Sequence, residues 1–126
     1  NIIANKLIEK CNVITEEISK GELNINNINE YCKENGISEV YITDDDGVTI
    51  ITNNASTMGF RFPEDELTQA HVFRKVLKDK STIIKQNFQK RDFDERYFKY
   101  VAISRRDSIG IVQAGLDVED ILCLKI

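Results

Sequence analysis

The spacing of apolar residues changes once along this 126-residue chain, near Glu39, and the change constrains the fold more than any other feature. Before it, apolar residues recur every three or four positions, which is the period of a helix with one buried face. After it come short runs of β-branched and aromatic residues between polar turns, as is typical of strands. The pattern therefore predicts an α+β fold in which helices precede an antiparallel sheet.

Two helices are predicted in the first part of the chain. The first spans residues 2–19, and the second begins after Asn27, which forms a capping box with Glu30, and finishes near Gly36. We expect the apolar stripe of the first helix to cover the sheet; its pairing with a second copy in a homodimer is a separate hypothesis. The stripe consists of Ile3, Leu7, Cys11, Ile14 and Ile18.

Five strands and two further helices are predicted after Glu39. A hairpin turns at Asp44-Asp45-Asp46-Gly47, and a long loop without periodicity follows it. A helix then precedes three strands, and Asp117 is expected to cap a last helix that begins at Val118. The predicted strands are residues 40–43, 48–52, 82–89, 97–104 and 109–116, the loop is residues 53–66, and the third helix is residues 67–78.

Composition restricts the class of protein. The chain has 41% hydrophobic and 30% charged residues, enough for a single domain over residues 1–126 with one core. Its net charge of −4 provides no general attraction for the phosphates of nucleic acid. The cysteines are three in number and form no CxxC pair, so we expect reduced thiols.

No arrangement of catalytic or metal-binding residues is visible. His71 is the only histidine, and no phosphate-binding or nucleophile-elbow motif is present. The acidic run before Gly47 does not fit a calcium loop, because Ile42 and Asn53 would occupy the first and twelfth positions. We therefore predict that the chain is not an enzyme and has no catalytic residues, metal or cofactor.

Several segments together resemble a known family. They are residues 39–48, Gly59-Phe60-Arg61, Gln69-Ala70, Phe98-Lys99-Tyr100-Val101 and residues 110–117. This order is similar to that of the single Cache domain, a PAS-like sensor of bacterial methyl-accepting chemotaxis proteins. The resemblance implies a five-stranded sheet of order 2-1-5-4-3, with a long N-terminal helix on one face and a pocket for a small ligand on the other.

The resemblance also implies a role and a location. The chain would be a fragment of a longer receptor, attached to the membrane only through segments outside it, facing outside the cytoplasm and passing a conformational signal to its last helix. The three cysteines favour the alternative, a cytoplasmic location. Input domains of sensor histidine kinases or diguanylate cyclases remain alternatives, as does a structural dimerisation module with a closed core and no ligand.

Lys99 and Gln113 interrupt strands that are otherwise apolar or aromatic. If Val101 lies opposite Gln113, both interrupting side chains face the same side of the sheet. A buried lysine there requires a negative partner, so we hypothesise a small anionic ligand such as a carboxylate. The alternative is a solvated Lys99 and a loop arginine paired with Glu64 or Asp65. The predicted ligand-binding residues are Arg61, Lys99, Arg91, Tyr41, Phe73, Tyr97 and Gln113.

One departure from the family bears on the ligand. Cache domains that sense amino acids join an arginine, a tryptophan and a nearby tyrosine on one stretch. This chain has no tryptophan. We therefore do not expect an amino-acid ligand from the resemblance alone.

Overall fold

A computed structural model describes residues 1–92 and 94–125. Phe93, between the predicted strands at residues 82–89 and 97–104, and Ile126, the last residue of the predicted domain, lie outside the described residues. The α-helices are α1 Ile2–Ser19, α2 Ile28–Asn35 and α3 Lys75–Lys78, and short 3-10 helices occupy Ala55–Thr57, Gln69–Arg74 and Val118–Cys123. The strands are β1 Glu39–Thr43, β2 Thr49–Thr52, β3 Ile84–Lys85, β4 Gln89–Lys90, β5 Tyr97–Ser104 and β6 Ile111–Asp117.

The strands form one antiparallel sheet in the order β2-β1-β6-β5-β3, and β4 also pairs with β5. When β3 and β4 are counted as one interrupted strand, this order is the same as the 2-1-5-4-3 order that the resemblance implied. The α+β class is therefore confirmed, and the architecture is compatible with a PAS-like sensor fold. Within the described residues, no helix has both the length and the apolar character needed to cross a bilayer.

The predicted strand at residues 82–89 is divided because the outer strand contains one extra residue. Ile84 pairs with Ala102 and Gln89 pairs with Phe98, so five steps along the outer strand match four steps along β5. Such a bulge bends the edge strand and redirects its side chains. The sheet therefore has six short strands among the described residues instead of the five that were predicted.

Helix α1 covers one face of the sheet, as the apolar stripe predicted. Asn1 caps it by accepting a hydrogen bond from the Ala4 amide at 3.1 Å. Its buried residues pack on β5 and β6, where each fully buried leucine or isoleucine contributes roughly 1.5–3 kcal/mol. The core on this face includes Leu7, Cys11, Ile14, Val40, Val101, Ala114 and Leu116.

The opposite face is covered by the chain between β2 and β3. The backbone around Phe60 runs beside β2, with the Thr49 amide donating to the Phe60 carbonyl at 2.8 Å. This contact places Phe62 in a second core that also contains Tyr41, Phe73, Val76, Ala102 and Ile111. The predicted long loop is therefore a packed segment that covers the sheet.

The predicted hairpin is confirmed, and its turn depends on Asp44. The Asp44 carboxylate accepts hydrogen bonds from the amides of Asp46 and Val48, at 2.9 and 3.0 Å. Gly47 has a φ of 79°, which glycine adopts without steric cost. The capping box predicted for α2 was wrong, because the Asn27 side chain accepts from the Asn24 amide and caps no helical amide.

The last two predicted helices differ from the structure. The segment predicted as one helix at residues 67–78 is a 3-10 helix followed by the single turn α3, and Leu67 is exposed. The segment after Asp117 is a 3-10 helix, although Asp117 caps it as predicted by accepting from the Glu119 amide at 2.9 Å. Ser38 hydrogen bonds to both Asp117 and Asp120 and so holds this segment against β1.

Candidate functional site

A cavity of about 560 Å³ lies on the face of the sheet opposite α1. Side chains of β1, β5 and β6 form its floor, and the segment after β2, the 3-10 helix Gln69–Arg74 and the β3–β4 edge enclose it. Its volume is within the roughly 300–1,000 Å³ that is usual for small-molecule sites. The aromatic residues that line it are Tyr41, Phe60, Phe62, Phe73 and Tyr100, and the charged residues are Arg61, Lys90, Arg91 and Asp92.

The register of the three central strands brings the floor residues together. Gln113 on β6 pairs with Tyr41 on β1 and with Ala102 on β5, so these three side chains face the same side. Tyr100 lies two residues before Ala102 and faces that side too. Opposite Tyr100 is Gly115, where a Cβ atom would lie 2.5 Å from the tyrosine ring. Glycine at this position therefore gives the ring room to lie across the sheet.

The carboxylate of Glu39 is buried behind residues that line the cavity and accepts several hydrogen bonds. Arg91 donates to its Oε1 at 2.8 Å, Tyr100 at 3.0 Å and Tyr41 at 3.3 Å. Asn54 donates to Oε2 at 3.4 Å. Burial, followed by the charge of Glu39, raises the pKa of Tyr41 to about 12. The same causes raise the pKa of Tyr100, so both phenols are hydrogen-bond donors at neutral pH.

Arg91 connects the cavity to the turn between β4 and β5. Its guanidinium contacts Asp94 as well as Glu39, and it lies 3.7 Å above the centre of the Phe98 ring. Burial by itself would lower the pKa of Arg91, but hydrogen bonds to Asp94 and Tyr100 and the charge of Glu39 raise it. Arg91 is therefore a charged residue whose hydrogen-bonding groups are already used within the protein.

The aromatic side chains form a continuous wall. Neighbouring rings meet edge to face, from Tyr41 through Phe60, Phe62 and Phe73 to Tyr100, with centroid separations of 5.2 to 6.3 Å. These are separations at which aromatic pairs attract one another. The wall offers ring faces and edges to a molecule in the cavity.

Gln113 is the polar group on the floor that has no partner. Its side chain is 4% exposed, and its amide makes no hydrogen bond to another described residue. The amide therefore faces the cavity with its N–H donors and its carbonyl acceptor unoccupied by protein groups.

The structure places five of the seven predicted site residues around the cavity: Tyr41, Arg61, Phe73, Arg91 and Gln113. Arg61 lines it, but its guanidinium donates to Asp46 at 2.9 Å and to Glu64 at 3.3 Å. The alternative expectation, a loop arginine paired with Glu64, therefore describes its contacts. These ion pairs are exposed and direct the charge of Arg61 toward the protein surface.

Lys99 lies on the other face of the sheet, because the predicted register was wrong by one residue. Val101 pairs with Ala114, and Lys99 pairs with Leu116. A shift of one residue moves a side chain to the opposite face. Lys99 thus joins the α1 side, where it is 2% exposed, has its ammonium 5.6 Å from the centre of the Phe88 ring, and has its pKa lowered by burial.

The register of β5 against β6 is accompanied by contacts between the start of β6 and Thr43 on β1. The Ile111 amide donates to the Thr43 hydroxyl at 2.9 Å, and a Cβ on Gly110 would lie 2.4 Å from the Thr43 carbonyl oxygen. These contacts fix β6 against β1, and Ser104 then pairs with Ile111. The connection between the two strands therefore covers residues 105–110 and is longer than the predicted strands at residues 97–104 and 109–116 implied.

Tyr97 does not line the cavity either. It is 51% exposed and pairs with Lys90 at the end of the sheet. The sequence could not indicate this, because an aromatic residue at a strand end has the same local pattern whether its neighbours cover it or not. Tyr97 and Lys99 therefore have no place in the observed site.

Several residues of the site were not predicted: Glu39, Tyr100, Phe62 and the remaining glutamines. The sequence contained a signal for Tyr100, because Tyr100 lies two residues before Ala102 on β5 and their side chains face the same side. The correct register would have placed that side toward the cavity. The only signal for Glu39 was its position at the start of a strand, where a charged side chain is usually solvated. Its burial depends on Arg91, which lies 52 residues further along the chain.

Cysteine and metal chemistry offer no second site among the described residues. Cys11 and Cys32 are buried and free, and burial raises the pKa of each thiol to about 12. Cys123 is free and exposed. Within residues 1–92 and 94–125, no group of three or more histidine, cysteine or acidic side chains could hold a metal ion.

Comparison with known proteins does not identify a family for this chain. No family model matches the chain, and no curated protein matches it. One similar solved structure is described as "The ligand binding domain of Mlp24 with asparagine"; it is 24% identical and has a TM-score of 0.37. The match covers 67% of this chain and 29% of that one. At this TM-score the likeness supports no conclusion about function, which has to be inferred from the site.

Proposed function

We propose that this chain is a ligand-sensing domain that binds a small molecule in the cavity and passes a conformational signal to the segment after Asp117. The observation that carries the proposal is the aromatic cavity with the amide of Gln113 in its floor, which makes no hydrogen bond to another described residue. The amide can donate to and accept from a molecule that packs against the aromatic side chains around it.

Binding fits the cavity better than catalysis does. The residues that line it include no serine, cysteine or histidine in the described part of the chain. The hydroxyls of Thr57 and Thr68 donate to backbone carbonyls at 2.7 Å, so neither is poised as a nucleophile. Tyr41 and Tyr100 have raised pKa values and donate to Glu39.

The turn between β4 and β5 provides a route from the cavity to the C-terminal segment. At one end Arg91 lines the cavity, and at the other Arg96 forms an ion pair with Asp117, the residue that caps the final 3-10 helix. Asp94 joins the two ends, accepting from Arg91 Nε at 3.0 Å and from the Arg96 amide at 3.1 Å. A ligand that contacts Arg91 could therefore alter the contacts that hold the final segment.

A finer proposal follows from the motifs in the sequence. We assign the domain to the Cache type of PAS-like sensors, in a bacterial chemotaxis or related receptor that faces outside the cytoplasm. The resemblance of residues 39–48 and 110–117 supports the assignment, and the strand order agrees with it. Protease accessibility of the full-length receptor in intact cells tests the location: cleavage of this domain only after lysis would contradict it.

A dimer through α1 remains part of that proposal. The buried stripe of α1 covers the sheet, which leaves Ile2 and Val13 as its exposed apolar residues. Sedimentation of the domain at high micromolar concentration tests self-association, and a persistent monomer would contradict it.

The first experiment on binding is a thermal-shift screen of the domain with small metabolites, followed by calorimetry. Ligand at about 100 times Kd should stabilise the fold by roughly 2.7 kcal/mol. Ala70 lines the cavity and Ala55 is exposed outside it. We expect Ala70→Trp to fill the cavity and abolish the shift, and the matched control Ala55→Trp to retain it. A hit that binds Ala70→Trp unchanged would refute this site.

The output route has its own experiment. Hydrogen exchange of residues 118–125 should change when ligand binds the wild-type domain, and Arg96→Ala should reduce that change while binding persists. Arg106 is a matched control, because its side chain is 52% exposed and that of Arg96 is 51% exposed. An unaltered ligand-dependent change in Arg96→Ala would exclude the route through this turn.

A further inference from the structure

All four glutamines of this chain line the cavity: Gln69, Gln86, Gln89 and Gln113. They come from the 3-10 helix, the β3–β4 edge and β6, so the fold, and not sequence proximity, brings them together. A carboxamide supplies donors and acceptors without charge. The hydrogen-bonding groups of these side chains that no protein group occupies therefore indicate which class of ligand the cavity can bind.

Three of the glutamines are partly or fully engaged with the protein. Gln69 donates to the Lys90 carbonyl at 2.7 Å and accepts from the Asp92 amide at 3.0 Å, which joins the 3-10 helix to the turn after β4. Gln89 donates to the Gln86 side-chain oxygen at 2.9 Å. The amide hydrogens of Gln86, the oxygen of Gln89 and the whole amide of Gln113 remain available in the cavity.

The positive charges around the cavity are already neutralised. Arg61 pairs with Asp46 at 2.9 Å, and Lys90 pairs with Glu95 at 2.9 Å. Arg91 pairs with Glu39 at 2.8 Å and also with Asp94. An anionic ligand would have to compete with these carboxylates for its counter-charge, and the carboxylate of Asp92 lines the same cavity.

We infer that the ligand is an uncharged, planar ring molecule with an amide or lactam edge, of the kind found in nucleobases and ring carboxamides. Its adjacent N–H and C=O groups pair with the amide of Gln113, which offers one acceptor and one donor edge. Its ring packs against the aromatic wall formed by Tyr41, Phe73 and Tyr100. The inference rests on the proposed function and specifies its ligand class.

The test uses probes that differ in charge and share a ring. Uracil and nicotinamide are the uncharged amides, and orotate and nicotinate are their anionic counterparts. Each is titrated calorimetrically into the wild-type domain. We expect at least one neutral probe to bind, and its anionic counterpart to bind at least ten-fold more weakly. Tighter binding of the anion, or no binding of either neutral probe, overturns the inference.

The variants test the role of Gln113. Gln113→Leu keeps the shape and removes all hydrogen bonds, and Gln113→Glu removes the N–H donors; each should weaken the neutral probe at least ten-fold. Lys99→Met, on the opposite face, should leave the affinity within two-fold. Unchanged affinity in both Gln113 variants overturns the inference. If only anions bind, and Ala70→Trp abolishes their binding, the inference fails and the proposed function survives. If neither the probes nor the metabolite screen yields a ligand, the inference and the proposed function both fail.

Discussion

Arg91 and Glu39 form a buried ion pair, with Nη1 2.8 Å from Oε1, that joins the turn after β4 to the start of β1. Their side chains are only 7% and 11% exposed, so neither charge has water as an alternative partner. Removing Arg91 leaves the buried charge of Glu39 with neutral hydrogen-bond donors and no positive partner, which is far more costly than losing an exposed pair.

We therefore expect Arg91→Ala to lower the free energy of unfolding by about 3–5 kcal/mol in urea denaturation. Arg61→Ala is the matched control, because the Arg61 pairs are exposed and should contribute little to the free energy of unfolding. In the double variant with Glu39→Gln, the loss should be smaller than the sum of the two single losses. Equal effects of Arg91→Ala and Arg61→Ala would show that the pair is not buried in solution.

Gln113→Leu is expected to stabilise the free domain while it impairs binding. Replacing an unpaired buried amide by an apolar side chain of similar shape should raise the free energy of unfolding by about 1 kcal/mol. Gln89→Leu, at an exposed position, should change it by less than about 0.5 kcal/mol. Destabilisation by Gln113→Leu would mean that the amide has a partner in the folded protein.

The lowered pKa of Lys99 predicts a pH dependence with a definite sign. Burial lowers its pKa in the folded protein, whereas the unfolded value is about 10.4. Between the two values the unfolded chain binds more protons, so stability rises with pH. The wild type should therefore gain stability relative to Lys99→Met as the pH approaches about 10.4.

Urea denaturation of both proteins at several alkaline pH values measures this difference and cancels the titrations that they share. A constant difference, or one that changes in the opposite direction, would place the Lys99 ammonium in water.

Thiol reactivity should separate the three cysteines. With a pKa of about 12, the thiols of Cys11 and Cys32 are about one part in ten thousand thiolate at pH 8, and both are buried. Cys123 is exposed. Mass spectrometry after brief alkylation should therefore find one modified site, at Cys123, and all three sites once urea is present. Early modification of Cys11 would contradict the packing of α1 on the sheet.

Local patterns in the sequence were sufficient for most of the secondary structure. The helical stripe of α1, the Asp44–Gly47 turn and the alternation in β5 and β6 each depend on neighbours within a few residues. For this reason the α+β class was predictable, whereas the strand order was implied only by the resemblance to the Cache family. Five of the residues predicted for the site line one cavity: Tyr41, Arg61, Phe73, Arg91 and Gln113. The 3-10 helices were missed because their form depends on contacts such as those of Ser38 with Asp120.

What the sequence determined by itself was the set of elements and their apolar faces, because hydrophobic period and turn chemistry are local. Only the tertiary structure decided which face Lys99 occupies, because the local pattern left the register of β5 against β6 open by one residue. The hydrogen bond from the Ile111 amide to the Thr43 hydroxyl accompanies the register that the structure has. The charge balance of the cavity was likewise decided by the fold. Glu39 and Arg91 meet across 52 residues of chain, and their pairing, invisible in sequence, argues for a neutral ligand in place of the anion that the basic residues alone had indicated.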